Sequence, residues 1–298
     1  MVSRTVETTV QHPRKPLPWL SVANYAILVI GAFIAVMPFL WMISASLMTQ
    51  SEVHRGELLP AHPNLGNYSQ AWSVASFGQY MWNSTRITGV TIAGLLLFCI
   101  PAAYAFSRMH FFGRNVIFAT LLTTLMIPDV VTLVPNFLTI IWLDRFSKAL
   151  FGSGWAWFNS WPALSVPFMA SAFSIFLLRQ FFAQIPHDLW EAAQLDGAGH
   201  VRFLINVMVP LSRAPIMTVI TFAFIGSWNA LLWPLLVTQT DDWRPVSAGL
   251  SNFVNSDAPN DFHLQMAASV IMVLPILAMY CFTQKQFTEG LATSGLKG

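Results

Sequence analysis

Six apolar runs, at 20–47, 87–106, 116–143, 161–178, 216–237 and 264–282, leave this chain few ways to fold. A bilayer core of about 30 Å is crossed by roughly 20 helical residues, and each run is near that length. Charged residues make up only 9% of the chain, against about 25% in a soluble globular domain, so the runs have no polar complement with which to build a water-facing surface. The expected fold is an all-α membrane protein with six transmembrane helices. The first run is longer than the apolar core of a signal peptide and no small-residue cleavage site follows it, so it reads as a retained helix.

Basic residues flanking spans favour the cytoplasmic side. With both termini inside, ten of the 15 Lys and Arg residues fall there, including Arg108, Arg114, Arg179, Arg202 and Arg213, and five fall outside. The division is then a cytoplasmic segment 1–19, a membrane domain 20–284 and a cytoplasmic tail 285–298. A net charge of +2 is too small to suggest nucleic acid as a partner. Cys99 and Cys281 lie inside apolar runs and read as two unpaired thiols, with no metal or redox pair. Trp155, Trp157 and Trp161 fall in an external loop, where an amphipathic ring collects at the membrane interface more readily than it forms a sugar-stacking platform.

Between the fourth and fifth runs lies a polar interruption, EAAQLDGAGHVRFLINVMVP, spanning 191–210. Pro186 suits a first helical turn, Asp188 and Glu191 put negative charge near its positive end, and Gly197 can take the left-handed conformation that stops it. After the stop, Val201, Leu204, Ile205 and Met208 recur at amphipathic-helix spacing until Pro210 breaks or kinks the helix. Two short helices joined at a glycine are therefore expected over 186–210, facing the cytoplasm. Ala192 and Ala193 allow close approach of another backbone, while Glu191 and Asp196 offer carboxylates to partner Arg or Lys groups. A membrane-surface helix usually carries a basic polar face, whereas this one is acidic. His187 and His200 flank the segment and read as solvated loop histidines.

This pattern resembles the EAA loop of permease subunits of binding-protein-dependent ABC importers. Glu191, Ala192, Ala193, Asp196, Gly197, Ala198 and Pro210 match its spacing, with Val207 and Val209 in place of the usual Ile and Leu. The stretches MPFLWMISASL, PAAYAFSRMHFFGR, SWNALLWPL and TQKQFTEGLATSGLKG are similar to the second permease subunit of maltose-type carbohydrate importers. The resemblance implies a transport subunit without catalytic, cofactor-binding or metal-ligating residues of its own. ATP and Mg would be bound by a separate ATPase. It implies as partners a second permease, two cytoplasmic ATPase subunits, an extracytoplasmic binding protein and membrane lipid, in a prokaryotic cell membrane. Glu191 to Gly197 would couple to the ATPase, and the tail at Glu289 and Gly290 would reach it too.

Inside the membrane, Asp129 is expected mid-span between Pro128 and Pro135, where an acid costs about 2.5–3.5 kcal/mol on insertion scales. It is either a hydroxyl-binding or gating residue of a translocation path or a carboxylate satisfied by a neighbouring helix or by interfacial water, and Asn136 shares both readings. Trp228 and Asn229 join a flat apolar ring to an amide, which suits a sugar or simply packs helices. An ion-coupled secondary transporter using Asp129 is the other transport class, but such proteins usually carry internal repeats and none is visible here. A membrane-embedded enzyme would need clustered His, Asp or Cys residues that the runs lack.

Overall fold

A computed structural model describes residues 18–74, 76–255 and 261–295. In chain order the helices are α1 (Pro18–Ser46), α2 (Gln50–His54), α3 (Gly66–Val74), α4 (Phe77–Arg108), α5 (Arg114–Thr123), α6 (Asp129–Phe151), α7 (Trp161–Ser165), α8 (Ala172–Gln184), α9 (Asp188–Leu195), α10 (His200–Phe203), α11 (Val209–Leu211), α12 (Arg213–Trp228), α13 (Leu232–Val237), α14 (Val246–Asn255) and α15 (Phe262–Gly295). No strand occurs among the described residues. Among the described residues, five helical stretches are long and apolar enough to span a membrane: Val22–Ser46, Phe77–Arg108, Asp129–Phe151, Trp161–Gln184 and Phe262–Gln284. A sixth candidate, His200–Leu211 with Arg213–Trp228, is bent by 82°.

Three of the expected runs are divided, that at 161–178 at residues 169–171, between a 3-10 turn ending at Phe168 and α8. The run at 116–143 is split at Ile127 and Pro128, both extended, between a 3-10 turn ending at Met126 and the start of α6. Proline drives the residue before it out of the helical region, so the helix cannot continue through Ile127. The run at 216–237 is split at 229–231, between α12 and α13. Elsewhere Pro38, Pro101, Pro135 and Pro275 lie inside helices. Neighbouring helices and local adjustments let membrane helices carry proline.

α4 is the central helix. In the most apolar stretch of its span 39% is buried, against none in that of α1, where Ala45 and Ser46 at the end are buried and the apolar side chains before them face outward as a lipid- or partner-facing surface does. Near its start, α4 joins α3, α12, α14 and α15 in a cluster built on Phe77, Tyr80, Trp228 and Leu264. Gly249 of α14 packs against the Tyr80 ring so closely that a β-carbon there would overlap it. Towards its end, α4 joins α8 and the 203–219 segment through Cys99, Tyr104, Leu178, Phe182, Phe203 and Met208. A third cluster of Ile87, Ile140, Leu164 and Trp233 ties in α6, α7 and α13.

The segment after α1 is held by polar contacts. Asn67 Nδ2 donates to the carbonyls of Ser46 (2.9 Å) and Met48 (2.7 Å). Glu52 accepts from the backbone N–H groups of Thr49 and Ala61 and from the Thr49 hydroxyl, which hold its carboxyl below the ordinary carboxylate range. In the tryptophan loop, the Asp144 carboxylate accepts from the backbone of Trp157 (2.9 Å) and Phe158 (3.0 Å) and from Lys148, while Trp155 stays exposed.

Candidate functional site

The polar segment folds as two short helical pieces around a glycine. α9 ends in paired bonds, Ala198 N–H to the Ala193 carbonyl (2.8 Å) and Gly197 N–H to that of Gln194 (3.0 Å), with Gly197 at φ +75°. This is a Schellman stop, and it needs a residue that adopts the left-handed region without strain. A β-carbon at Gly197 would meet nothing within 4 Å, so the glycine is required by backbone conformation and not by crowding inside the chain. Glu191, Ala192, Asp196 and Gly197 are exposed together, and Ala193 is half-buried against the α4–α8 core. Leu195, at the end of α9, is 91% exposed, an apolar side chain presented outward beside the carboxylates. Glu191 also reaches back to His187 at 3.4 Å on the exposed face.

Beyond Gly199 the helix widens. Residues Leu204–Met208 form a π-turn directly before Val209–Pro210. Proline brings no N–H and its ring clashes with the carbonyl four residues earlier, and a widened turn relieves both. The widening also changes which side chains face inward. The sequence spacing put Val201, Leu204, Ile205 and Met208 on one face, yet Phe203, Leu204 and Met208 are buried while Val201 and Ile205 are exposed. The inward pair Phe203 and Met208 lies five residues apart, one π-turn. The chain then bends at Ser212, two residues after Pro210.

The segment is fastened to the bundle by contacts that the sequence reading did not include. Arg108, at the end of α4, donates through Nη2 to the carbonyls of Phe182 (2.7 Å) and Ile185 at the end of α8. Arg179 Nε of α8 donates to the Phe106 carbonyl of α4 at 3.3 Å, with its guanidinium over the Phe118 ring. Each arginine thus satisfies carbonyls at the other helix's C-terminal end, where the helix dipole favours a cation. His200 is not a free loop histidine either. Its ring stacks on Trp190 and its Nδ1 pairs with the Tyr104 hydroxyl, because the turn at Gly197 brings the start of α10 back over α9. A hydrophobic Tyr in a span followed by Arg four residues later was the available signal. Its partner, 96 residues away, carried no local mark.

The membrane candidates separate. Asp129 is not mid-helix: it is exposed in the first turn of α6, just after the Pro128 break, where the helix dipole favours its negative charge. Asn136 is exposed one residue past Pro135. Trp228 is 2% exposed, donates Nε1–H to the Met272 carbonyl of α15 at 3.1 Å and stacks with Phe224 at 5.3 Å. Asn229 turns its amide back onto the Ile225 carbonyl of its own helix (3.0 Å). These contacts pack Trp228 against α15 and do not bring Asp129 and Trp228 into one cluster. The α15 backbone continues through Glu289 and Gly290, whose side chains lie outside the described part.

The structure is that of a helical, multi-pass membrane protein with a polar helix–glycine–helix segment tied to its central span. The chain is a member of the family of binding-protein-dependent transport system inner membrane components, whose model matches residues 94–287 and so includes the whole segment. It is 30% identical over 273 residues to the diacetylchitobiose uptake system permease protein NgcG of Streptomyces coelicolor, covering 90% of this chain and 86% of that one. It is 30% identical over 284 residues to the sn-glycerol-3-phosphate transport system permease protein UgpE of Yersinia enterocolitica, covering 92% and 97%. The lactose transport system permease protein LacG of Rhizobium radiobacter is 28% identical over 281 residues, covering 94% and 97%. In fold the chain is similar to a crystal structure of a bacterial ABC transporter involved in import of the acidic polysaccharide alginate, with a TM-score of 0.77 at 23% identity over 90% of this chain and 96% of that one. The chain is thus a permease of the ABC importer type, and its relatives are transport proteins and not enzymes.

Proposed function

We propose that this chain forms half of the translocation pathway of an ATP-driven importer for a sugar or a related polyol or sugar derivative. Glu191, Ala192, Ala193, Asp196 and Gly197 dock into a cytoplasmic ATPase. The observation that carries this reading is the exposed α9 surface closed by the Schellman stop at Gly197, within a family of binding-protein-dependent permeases. A carbohydrate cargo is supported by relatives named for diacetylchitobiose and lactose uptake. The relative named for glycerol phosphate extends the range to polyol derivatives.

The second permease, a pair of ATPase subunits binding ATP and Mg, and an extracytoplasmic binding protein complete the machine. A similar fold has been crystallised with a periplasmic protein carrying an alginate pentasaccharide (TM-score 0.63, 14% identity), which supports the last partner. Both termini and the 186–210 segment lie on the cytoplasmic side, in keeping with the ten-to-five distribution of basic residues. When ATP closes the ATPase pair, the docked helices are drawn together and the pathway opens outward to receive solute.

Gly197→Asp tests the coupling assignment. A β-carbon there meets nothing within 4 Å, and Asp is among the residues that enter the left-handed region at modest strain, so the permease is expected to assemble. ATP-dependent uptake into vesicles, supplied with the system's own binding protein, should nevertheless fall to background. Uptake at the unmodified rate with the ATPase normally bound would overturn the assignment.

A further inference from the structure

A docked helix moves a bundle only if it is gripped from the side, because the turns at its two ends can act as hinges. α9 is joined to the rest of the chain through the turn at 185–187 and through Gly197. The lateral grip comes from Ala193, packed on the α4–α8 core, and from one aromatic group. The imidazole of His200 lies nearly parallel to the Trp190 indole of α9, with ring centroids 4.5 Å apart and an interplanar angle of 13°. Its Nδ1 is 2.8 Å from the hydroxyl of Tyr104, a residue of α4 that is 3% exposed. The two rings of that pair also meet edge to face, at 5.8 Å and 67°. Phe203, 1% exposed, backs the arrangement, 5.0 Å from Trp190 and 6.4 Å from Tyr104.

We propose that His200 is a positioning residue of the transport cycle, transmitting displacement of α9 to α4 through its stack on Trp190 and its hydrogen bond to Tyr104. This rests on the coupling role of α9 proposed above. Stacked and edge-to-face rings resist sliding and tilting, and the hydrogen bond is directional, so the group passes on translation and rotation together. α4 is the receiving element suited to spread that motion. It is the most buried span, and it packs on both α8 and α12. The Arg108 and Arg179 contacts lock the ends of α4 and α8 together just beside the point of entry.

The test uses the full complex with its ATPase in lipid nanodiscs, with Cys99 and Cys281 replaced by alanine and nitroxide labels at Thr85 of α4 and Val130 of α6. The probe is MgATP trapped with vanadate, read as the change in label-to-label distance. His200→Ala, which removes both contacts, should lose more than half of the trapped-state shift while the amount of assembled complex stays the same. Tyr104→Phe keeps the ring and deletes only the hydrogen bond, and should lose part of the shift, rescued fully by no change other than restoring Tyr. His200→Phe, which keeps a ring against Trp190, should fall between the unmodified chain and His200→Ala.

An undiminished shift in both His200→Ala and Tyr104→Phe overturns the proposal. So does failure of both variants to assemble, since the residues would then hold the fold together instead of transmitting motion. Ala192→Trp, which blocks the docking face, separates the two levels. If it assembles with the ATPase and keeps the full shift, the coupling role of α9 fails. If it abolishes the shift while His200→Ala does not, only the role of His200 fails.

Discussion

The segment at 186–210 and the break before Asp129 are both polar interruptions of apolar runs, and the bundle treats them in opposite ways. The first is built in: its helix stop is doubly hydrogen-bonded, its inner face is buried, and it is gripped by Trp190, His200 and Tyr104. The second is a proline-imposed gap whose acidic residue stands exposed on the first turn of the next helix. A carboxylate interrupting an apolar run therefore does not by itself mark a place where the bundle converges. What distinguishes the two is whether other elements converge on the interruption. Trp228, placed by sequence alongside Asp129 as a pathway candidate, falls on the built-in side, enclosed by α15.

Trp228→Ala is the substitution expected to test this division most strongly. Losing a fully buried indole should cost about 3–5 kcal/mol in stability, read by denaturant unfolding in detergent, with apparent solute affinity unchanged in the folded fraction. A stable variant with altered affinity would move Trp228 to the pathway. Arg108→Met removes charged donors from the carbonyls of Phe182 and Ile185 and should cost about 1.5–3 kcal/mol. Hydrogen exchange should report that loss first in α9 and the end of α8, and a uniform effect across all helices would show that the seat is not local. Asp129→Asn should have the smallest effect, under about 1 kcal/mol, the size of a charge interaction with a helix end. A larger loss of stability would mean that the carboxylate is built in after all. A tenfold change in apparent solute affinity without such a loss would put it on the pathway.

Legibility in the sequence followed the range of the interactions. The apolar runs at 20–47 and 264–282 correspond closely to observed spans, and that at 87–106 lies within a longer one, because length and apolarity are local properties. The helix stop at Gly197 was visible for the same reason: a Schellman turn is written in consecutive residues. The faces of the helix after it were misassigned because a π-turn adds a residue to one revolution and rotates everything that follows. The break at Pro128 lay in plain view as a proline, yet hydropathy averaged over a window carried the run across it.

Primary structure alone was enough to indicate a multi-span helical membrane protein and to locate its polar helix–glycine–helix segment, since both rest on periodicity, composition and contiguous residues. Only the tertiary structure could say how that segment is attached and which membrane candidates are packed. Tyr104 meets His200, Arg108 meets Ile185 and Trp228 meets Met272 across long stretches of chain. Such pairings depend on which helices lie side by side and how each is rotated. Neither quantity is carried by any short stretch of residues.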